Sequence, residues 1–284
     1  MLLFNRLLWL AVSALLLAAS FALFRTDREG LRLPRRKPRT EPPLLRPRAG
    51  ATALDLPKAS LAYDTHARLA QLRAQFVFDL RGVLQGAAFL VLMALALVLM
   101  LVSLAMGGLI YGTPTWPVTH QVFTAVDGSF SLPLMIVVIF YAGELVWRER
   151  QYRSAEVSDA FPTPDWVSLL AKLGALLAVV AIMLVAGAVV GMGWQLAHGY
   201  TRLEPGLYLA MLALHAIPFV LVAVLALFLQ VACNNKFLGY LASILWLASS
   251  LAFDLLHWEN KLYNYGSAPD VPYCNTDSTP LADA

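Results

Sequence analysis

From Gly82 to Val126 the chain runs 45 residues without an aspartate, glutamate, lysine or arginine, and similar uncharged runs recur along it. A bilayer hydrocarbon core is about 30 Å thick, and a helix needs roughly 20 residues to cross it. Backbone facing lipid finds no water for its amides, so such runs cross only as helices or as strands of a closed barrel. Barrel strands would alternate apolar and polar residues, and these runs do not. Composition agrees: of 284 residues, 59% are hydrophobic and 14% charged, where a soluble domain carries about 25% charge. The expected fold class is all-α, a polytopic membrane helix bundle. It has six predicted transmembrane helices plus a cytoplasmic interfacial helix, and no soluble catalytic domain.

The first run, Leu7 to Phe24, lies between Arg6 and Arg25. It is longer than the apolar core of a secretory signal and reads as a retained peripheral span over 1–24, a cleaved signal being the competing reading. The second span has its apolar core at Ala87 to Ile110. Tyr111 to Pro117, with Gly112, Pro114 and Pro117, reads as an interfacial loop. The third span is expected over 130–147, with Pro133 in its first turn. The fourth, over 173–196, carries Gly187, Gly191 and Gly193, small residues that allow close helix contact. The fifth covers 207–231 with a kink expected at Pro218. A turn at Cys233 to Lys236 leads to the sixth, 237–256.

Lysine and arginine set the orientation. Residues 25–81 hold 13 of them, residues 148–172 hold 4 and Lys236 adds one, whereas Arg6, Arg202 and Lys261 are all that fall on the other side. The positive-inside rule places the richer side in the cytoplasm. Both termini, including the polar tail 257–284, are then extracytoplasmic, and the chain is expected as a multi-pass protein of the bacterial cytoplasmic (inner) membrane. Cys233 and Cys274 fall on opposite sides, so they cannot pair within one chain.

Residues 25–67 form a basic, proline-rich linker with too little apolar surface to build a core. Its charge suits the headgroups of anionic membrane lipids, and no nucleic-acid partner is expected. Leu69, Leu72, Phe76, Leu80 and Leu84 then recur at spacings of three and four, with Arg68, Arg73, Asp79 and Arg81 between them. That periodicity predicts an amphipathic helix in the cytoplasmic interface, an extension of the second span being the simpler alternative.

The segment Glu144 to Lys172 is the most informative. Glu144 lies about one turn inside the end of the third span, followed by Trp147, Arg148, Glu149 and Arg150. A carboxylate there needs a partner or access to the headgroups, and Arg148 at i+4 is the partner expected from spacing. A short polar helix at Ser154 to Ala160, including Asp159, is stopped by Phe161-Pro162-Thr163-Pro164. Asp165 is expected to cap a helix that enters the membrane at Lys172. The whole has the form of a docking surface for a cytoplasmic partner, although a helix end anchored at the interface would show the same residues.

No phosphate-binding loop and no H-E-x-x-H motif occurs, so no catalytic residue, cofactor or metal is expected and the chain does not read as an enzyme. His215 lies inside the fifth span beside Pro218, and Asp254 and His257 share a helix face at the outer end of the sixth. These three are the candidates for an intramembrane polar site, where His215 could equally hydrogen-bond a neighbouring helix. With Glu259, Asp254 and His257 carry donor types that bind metals, but polar residues at a helix end are commoner than metal sites.

The stretch from Phe140 to Arg150, FYAGELVWRER, continued by Asp159 to Pro164 and by Leu170-Ala171-Lys172, resembles the membrane subunits of type 2 ABC transporters. More narrowly, it is similar to the bacterial permeases joined to an M1-type zinc aminopeptidase. Further stretches similar to that subgroup are Leu109 to Thr115, Gly199 to Glu204, Gln230 to Gly239 and Tyr265 to Pro269. The resemblance spans most of 1–10 and 68–273. It implies a permease half that pairs with a second permease half, in a homodimer or heterodimer, and docks the ATP-binding subunits of the transporter. The coupling loop of the class would correspond to 148–172, with Glu144, Trp147, Arg148, Glu149, Arg150, Asp159, Pro162 and Lys172 as its marked residues. The chain departs from the pattern in having five spans after the interfacial helix rather than six, and in lacking a peptidase signature, so aminopeptidase activity does not carry over. The alternative function is a non-transporting membrane scaffold or regulatory anchor for a peptidase or envelope complex.

Overall fold

A computed structural model of the chain describes residues 2–23, 65–107, 109–110, 113–114, 116–151, 164–233 and 235–255. Seven helices account for nearly all of them: α1 (Leu2–Leu23), α2 (Thr65–Leu84), α3 (Ala87–Gly107), α4 (Thr119–Gln151), α5 (Asp165–Ala197), α6 (Pro205–Ala232) and α7 (Lys236–Leu255). The only other regular structure among them is a two-residue antiparallel ladder between β1 (Leu109–Ile110) and β2 (Thr113–Pro114), pairing Leu109 with Pro114 and Ile110 with Thr113.

Among the described residues four helices are long and apolar enough to cross a membrane: α3, α4 as far as Arg148, α5 and α6. This makes the chain a membrane protein. The corresponding apolar parts of α1 and α7, Leu7–Ala22 and Lys236–Ser249, are shorter. Helix α4 is the hub and packs against α3, α5, α6 and α7, while α1 lies mainly on α6 and α2 on α5. Half of the most apolar stretch of α4 and of α5 is buried in the bundle, against 22% for α3. Leu90, Val91, Leu95, Val98 and Leu99 of α3 accordingly face outward, as side chains in contact with lipid do.

Several boundaries differ from those read off the sequence. The second span ends at Gly107 rather than Ile110. Two successive glycines, Gly107 and Gly108, weaken the helix there, and the Gln121 side chain donates from Nε2 to the Gly107 carbonyl at 2.8 Å, satisfying a terminal acceptor. The helix that carries the third predicted span begins at Thr119, eleven residues before the expected start at 130, so Pro133 sits deep within α4 instead of in its first turn. Pro133 removes one helical donor, as Pro218 does in α6, yet both helices continue through the proline. Among packed transmembrane helices such a break is tolerated because neighbours hold the segment in place.

Asp165 does not cap α5. The N-cap is Pro164, with no side-chain cap bond, and Asp165 is the first helical residue, where its charge favours the helix N-terminus. Gly187 and Gly191 do bring α5 close to α4: a methyl added at Gly187 would meet the Phe130 ring at 3.1 Å, and at Gly191 it would meet Val122 and Met100. Among the described residues nothing lies within 4 Å of a methyl added at Gly193, so it makes no such contact with them.

The expected interfacial helix is present, beginning at Thr65, but its stripe does two jobs. Phe76, Leu80 and Leu84 pack on the bundle core, whereas Leu69 is exposed. Gly174 of α5 leaves the space in which the Phe76 ring lies.

Candidate functional site

The end of the bundle formed by the C-termini of α2, α4 and α6 and the N-termini of α5 and α7 is braced by polar side chains. Arg148, near the end of α4, donates from Nη1 to Asp79 Oδ1 of α2 at 3.1 Å, and Asp79 is buried. The guanidinium also lies 5.7 Å from the centre of the Phe78 ring, within range for a cation–π contact. Gly82 of α2 makes this approach available, since a methyl there would stand 2.8 Å from both terminal guanidinium nitrogens.

One turn earlier on α4, Glu144 Oε1 accepts from Lys236 Nζ at 2.6 Å. The Lys236 ammonium lies 5.9 Å from the Tyr240 ring, and Tyr240 donates its hydroxyl to the Phe140 carbonyl at 3.0 Å while stacking on the Phe140 ring. Gly143 leaves the Tyr240 ring its place: an added methyl would overlap it. Trp147 Nε1 donates to Gln230 Oε1 of α6 at 3.1 Å, and Gln230 in turn occupies the space over Gly239 of α7. Tyr141 sits beside Gly86 and accepts from the Phe89 amide at 3.0 Å, tying α4 to the start of α3. Four glycines, Gly82, Gly86, Gly143 and Gly239, thus each accommodate one polar side chain of a network that joins α2, α3, α4, α6 and α7.

The partner choice corrects the reading from spacing. Glu144 and Arg148 do not pair with each other; each takes a partner on another helix. An i,i+4 pair on a helix surface contributes about 0.3–0.5 kcal/mol, whereas pairing a buried carboxylate such as Asp79 avoids a far larger desolvation penalty. Lys236 reaches Glu144 because the chain turns tightly after Cys233, and Asn235 accepts from the Phe237 amide at 2.9 Å to open α7.

Lys172 is buried within α5, seven residues past the helix start, and its Nζ lies 3.2 Å from Ser168 Oγ. Ser168 also accepts from Gln75 Nε2 of α2 at 2.8 Å. Both helices that flank residues 152–163 are therefore fastened to α2, α4 through Arg148 and α5 through Ser168. Glu149 and Arg150 continue the helical backbone of α4, their side chains lying outside the described residues, as do Asp159 and Pro162 entirely.

Toward the opposite end, His215 of α6 meets Asp127 of α4, with Nδ1 to Oδ1 at 2.7 Å. Asp254 belongs to the last turn of α7 with its side chain outside the described residues, and His257 lies outside them altogether. Nearer the hairpin, Gln195 of α5 donates to the Pro117 carbonyl at 2.8 Å and accepts from the Tyr208 hydroxyl at 2.9 Å, closing α4, α5 and α6 together. No group of three potential metal ligands occurs among the described residues.

Comparison with protein-family models, curated proteins and solved structures gives no match. The residues of the chain therefore carry the functional argument. Sequence reasoning did not single out Asp79, Asp127, Gln230 or Tyr240 as site residues. A signal was present for Asp79, which stands three residues after Phe76 and four before Val83 and so falls on the buried face of α2. Asp127 is the sole acidic residue in the first half of α4. For Gln230 and Tyr240 no sequence signal distinguishes them from ordinary polar residues of a span.

Proposed function

We propose that the chain is the membrane-spanning permease subunit of a type 2 ABC transporter in a bacterial cytoplasmic membrane, and not an enzyme. Residues 148–172 would couple ATP hydrolysis on a separate ATP-binding subunit to movement of α4 and α5. In this reading α1 and α7 complete a set of six spans, both termini are extracytoplasmic and a second permease half is required. Their full lengths, 22 and 20 residues, correspond to about 33 and 30 Å of helix, enough to reach across.

The observation that carries the reading is the bracing at the loop end. A coupling segment transmits force only if the helices it joins cannot slip at their ends, and α4 and α5 are both fastened to α2 there, by Arg148 to Asp79 and by Ser168 to Gln75. The FYAGELVWRER resemblance supports the same assignment.

The test is co-purification of the full chain from native membranes with identification of bound proteins, repeated with the E149K/R150E double substitution. Arg148 is left intact because its internal partner is Asp79. An ATP-binding subunit retained by the parent chain and lost in the variant is the expected result. Equal retention by both removes the coupling role from this segment, and stable capture of an envelope or peptidase partner with no ATP-binding subunit would favour a scaffold instead.

A further inference from the structure

Asp127 stands eight residues inside α4 and His215 ten residues inside α6, about 12 and 15 Å along the helices from the hairpin end. Both helices are long and apolar enough to span a membrane, so the pair joins two membrane-crossing helices two to three turns in from their hairpin ends. An ionisable residue at such depth faces the bundle interior, a partner or a water-filled path rather than lipid.

The two residues differ in environment. His215 is 11% exposed and Asp127 52%. Phe123 and Phe219 meet the imidazole edge-on, with ring centres 5.9 and 5.2 Å away, and fix its plane. Nδ1 faces the carboxylate, while Nε2 is buried without a hydrogen-bond partner among the described residues. Along α4, His120, Thr124, Asp127 and Ser131 fall at spacings of four, three and four on one face running toward the hairpin. Thr124 and Ser131 spend their hydroxyl protons on the carbonyls of His120 and Asp127, so neither neutralises the Asp127 charge.

No other described titratable side chain reaches the dyad from the helices packed around it. Between Leu7 and Ala22 of α1, throughout α3, and from Leu173 to Ala197 of α5 there is none. On α6 the other is Tyr208, whose hydroxyl is engaged with Gln195. On α7, Lys236 and Tyr240 belong to the opposite end, and Asp254, in the last turn, has its side chain outside the described residues.

We propose that Asp127 and His215 form an intramembrane proton-binding site, reached from the hairpin end along the polar face of α4. In the empty state a neutral imidazole donates its Nδ1–H to the ionised carboxylate, leaving the Nε2 lone pair bare and the pair with one net negative charge in apolar surroundings. One proton taken from water forms the Nε2–H bond and brings the pair to zero net charge. No other bond changes, and release reverses the step. The proposal requires only that α4 and α6 cross the membrane and is independent of the coupling role of 148–172.

The test uses the full chain labelled with ¹⁵N in its histidine rings, reconstituted in lipid vesicles and read by solid-state NMR at pH 8.5 and pH 5.5, with H215Q to assign the signal. His215 is expected to show one protonated and one bare ring nitrogen at pH 8.5 and two protonated nitrogens at pH 5.5. In D127N, which keeps an acceptor but removes the charge, the doubly protonated fraction at pH 5.5 should fall about tenfold. A His215 that keeps the same state at both pH values, or a D127N chain indistinguishable from the parent, overturns the proposal. If H215Q does not insert, replacing His66, His120, His198 and His257 with Gln leaves His215 as the only histidine and permits the same reading.

Discussion

The two ends of the bundle treat charge in opposite ways. At the loop end every described ion pair is embedded in further contacts: Asp79–Arg148 against Phe78 and Gly82, and Glu144–Lys236 against Tyr240 and Gly143. Toward the hairpin end a single described pair, Asp127–His215, bridges two long spans with a half-exposed carboxylate and a ring nitrogen that has no partner among the described residues. The first arrangement fixes helices to one another. The second leaves a site with capacity to change its protonation. A charge held from several sides resists change, because each alternative state strands a partner.

That contrast can be broken first at Arg148. R148A removes the Arg148 guanidinium from the buried Asp79 carboxylate and should lower stability by about 3–5 kcal/mol, measured as loss of the folded fraction on thermal unfolding in detergent. D79N/R148Q, which removes both charges, should recover most of that loss. An R148A chain as stable as its parent would mean that the brace contributes little.

The glycines provide the next largest effects. G143A and G239A insert a methyl into the Tyr240 ring and into the Gln230 amide respectively, and each should cost about 1–3 kcal/mol through displacement of the packed side chain. G193A, where nothing lies within 4 Å, should instead be neutral or slightly stabilising, since alanine favours the helix by up to about 1 kcal/mol. Thermal shifts of all three variants in one detergent would compare them directly.

A smaller effect is expected at Glu144–Lys236. Both side chains keep some exposure, 29% and 16%, so a double-mutant cycle with E144Q and K236M should yield a coupling of about 1 kcal/mol or less. A coupling of several kcal/mol would place this pair with Asp79–Arg148 as a principal brace.

Much of the helical plan was legible in advance. The second, fourth, fifth and sixth predicted spans overlap α3, α5, α6 and α7, and the periodic stretch from Leu69 appears as α2. The misjudged element was α4. Its first turns, Thr119 to Ser129, mix His120, Thr124, Asp127 and Gly128 with apolar residues, and a hydropathy reading discards such a segment. In the structure Val122, Val126 and Phe130 pack against α5 on the opposite face, so burial of that apolar stripe carries the helix eleven residues further than its average polarity suggests. The same mechanism hid Asp127, which lay in a segment not read as helix.

The sequence by itself determined that the chain is helical and built for a membrane, because long uncharged runs leave the backbone no other way to satisfy its amides in lipid. It also marked Glu144 as a charge in need of a partner and offered Arg148 for it. Only the tertiary structure decided which partners they have. Spacing along one helix makes them neighbours of each other, but Asp79 lies 69 residues before Arg148 and Lys236 lies 92 after Glu144. Pairing across that distance depends on how α2 and α7 come to lie beside α4, and their packing follows from shape, including the space that Gly82 and Gly143 leave open.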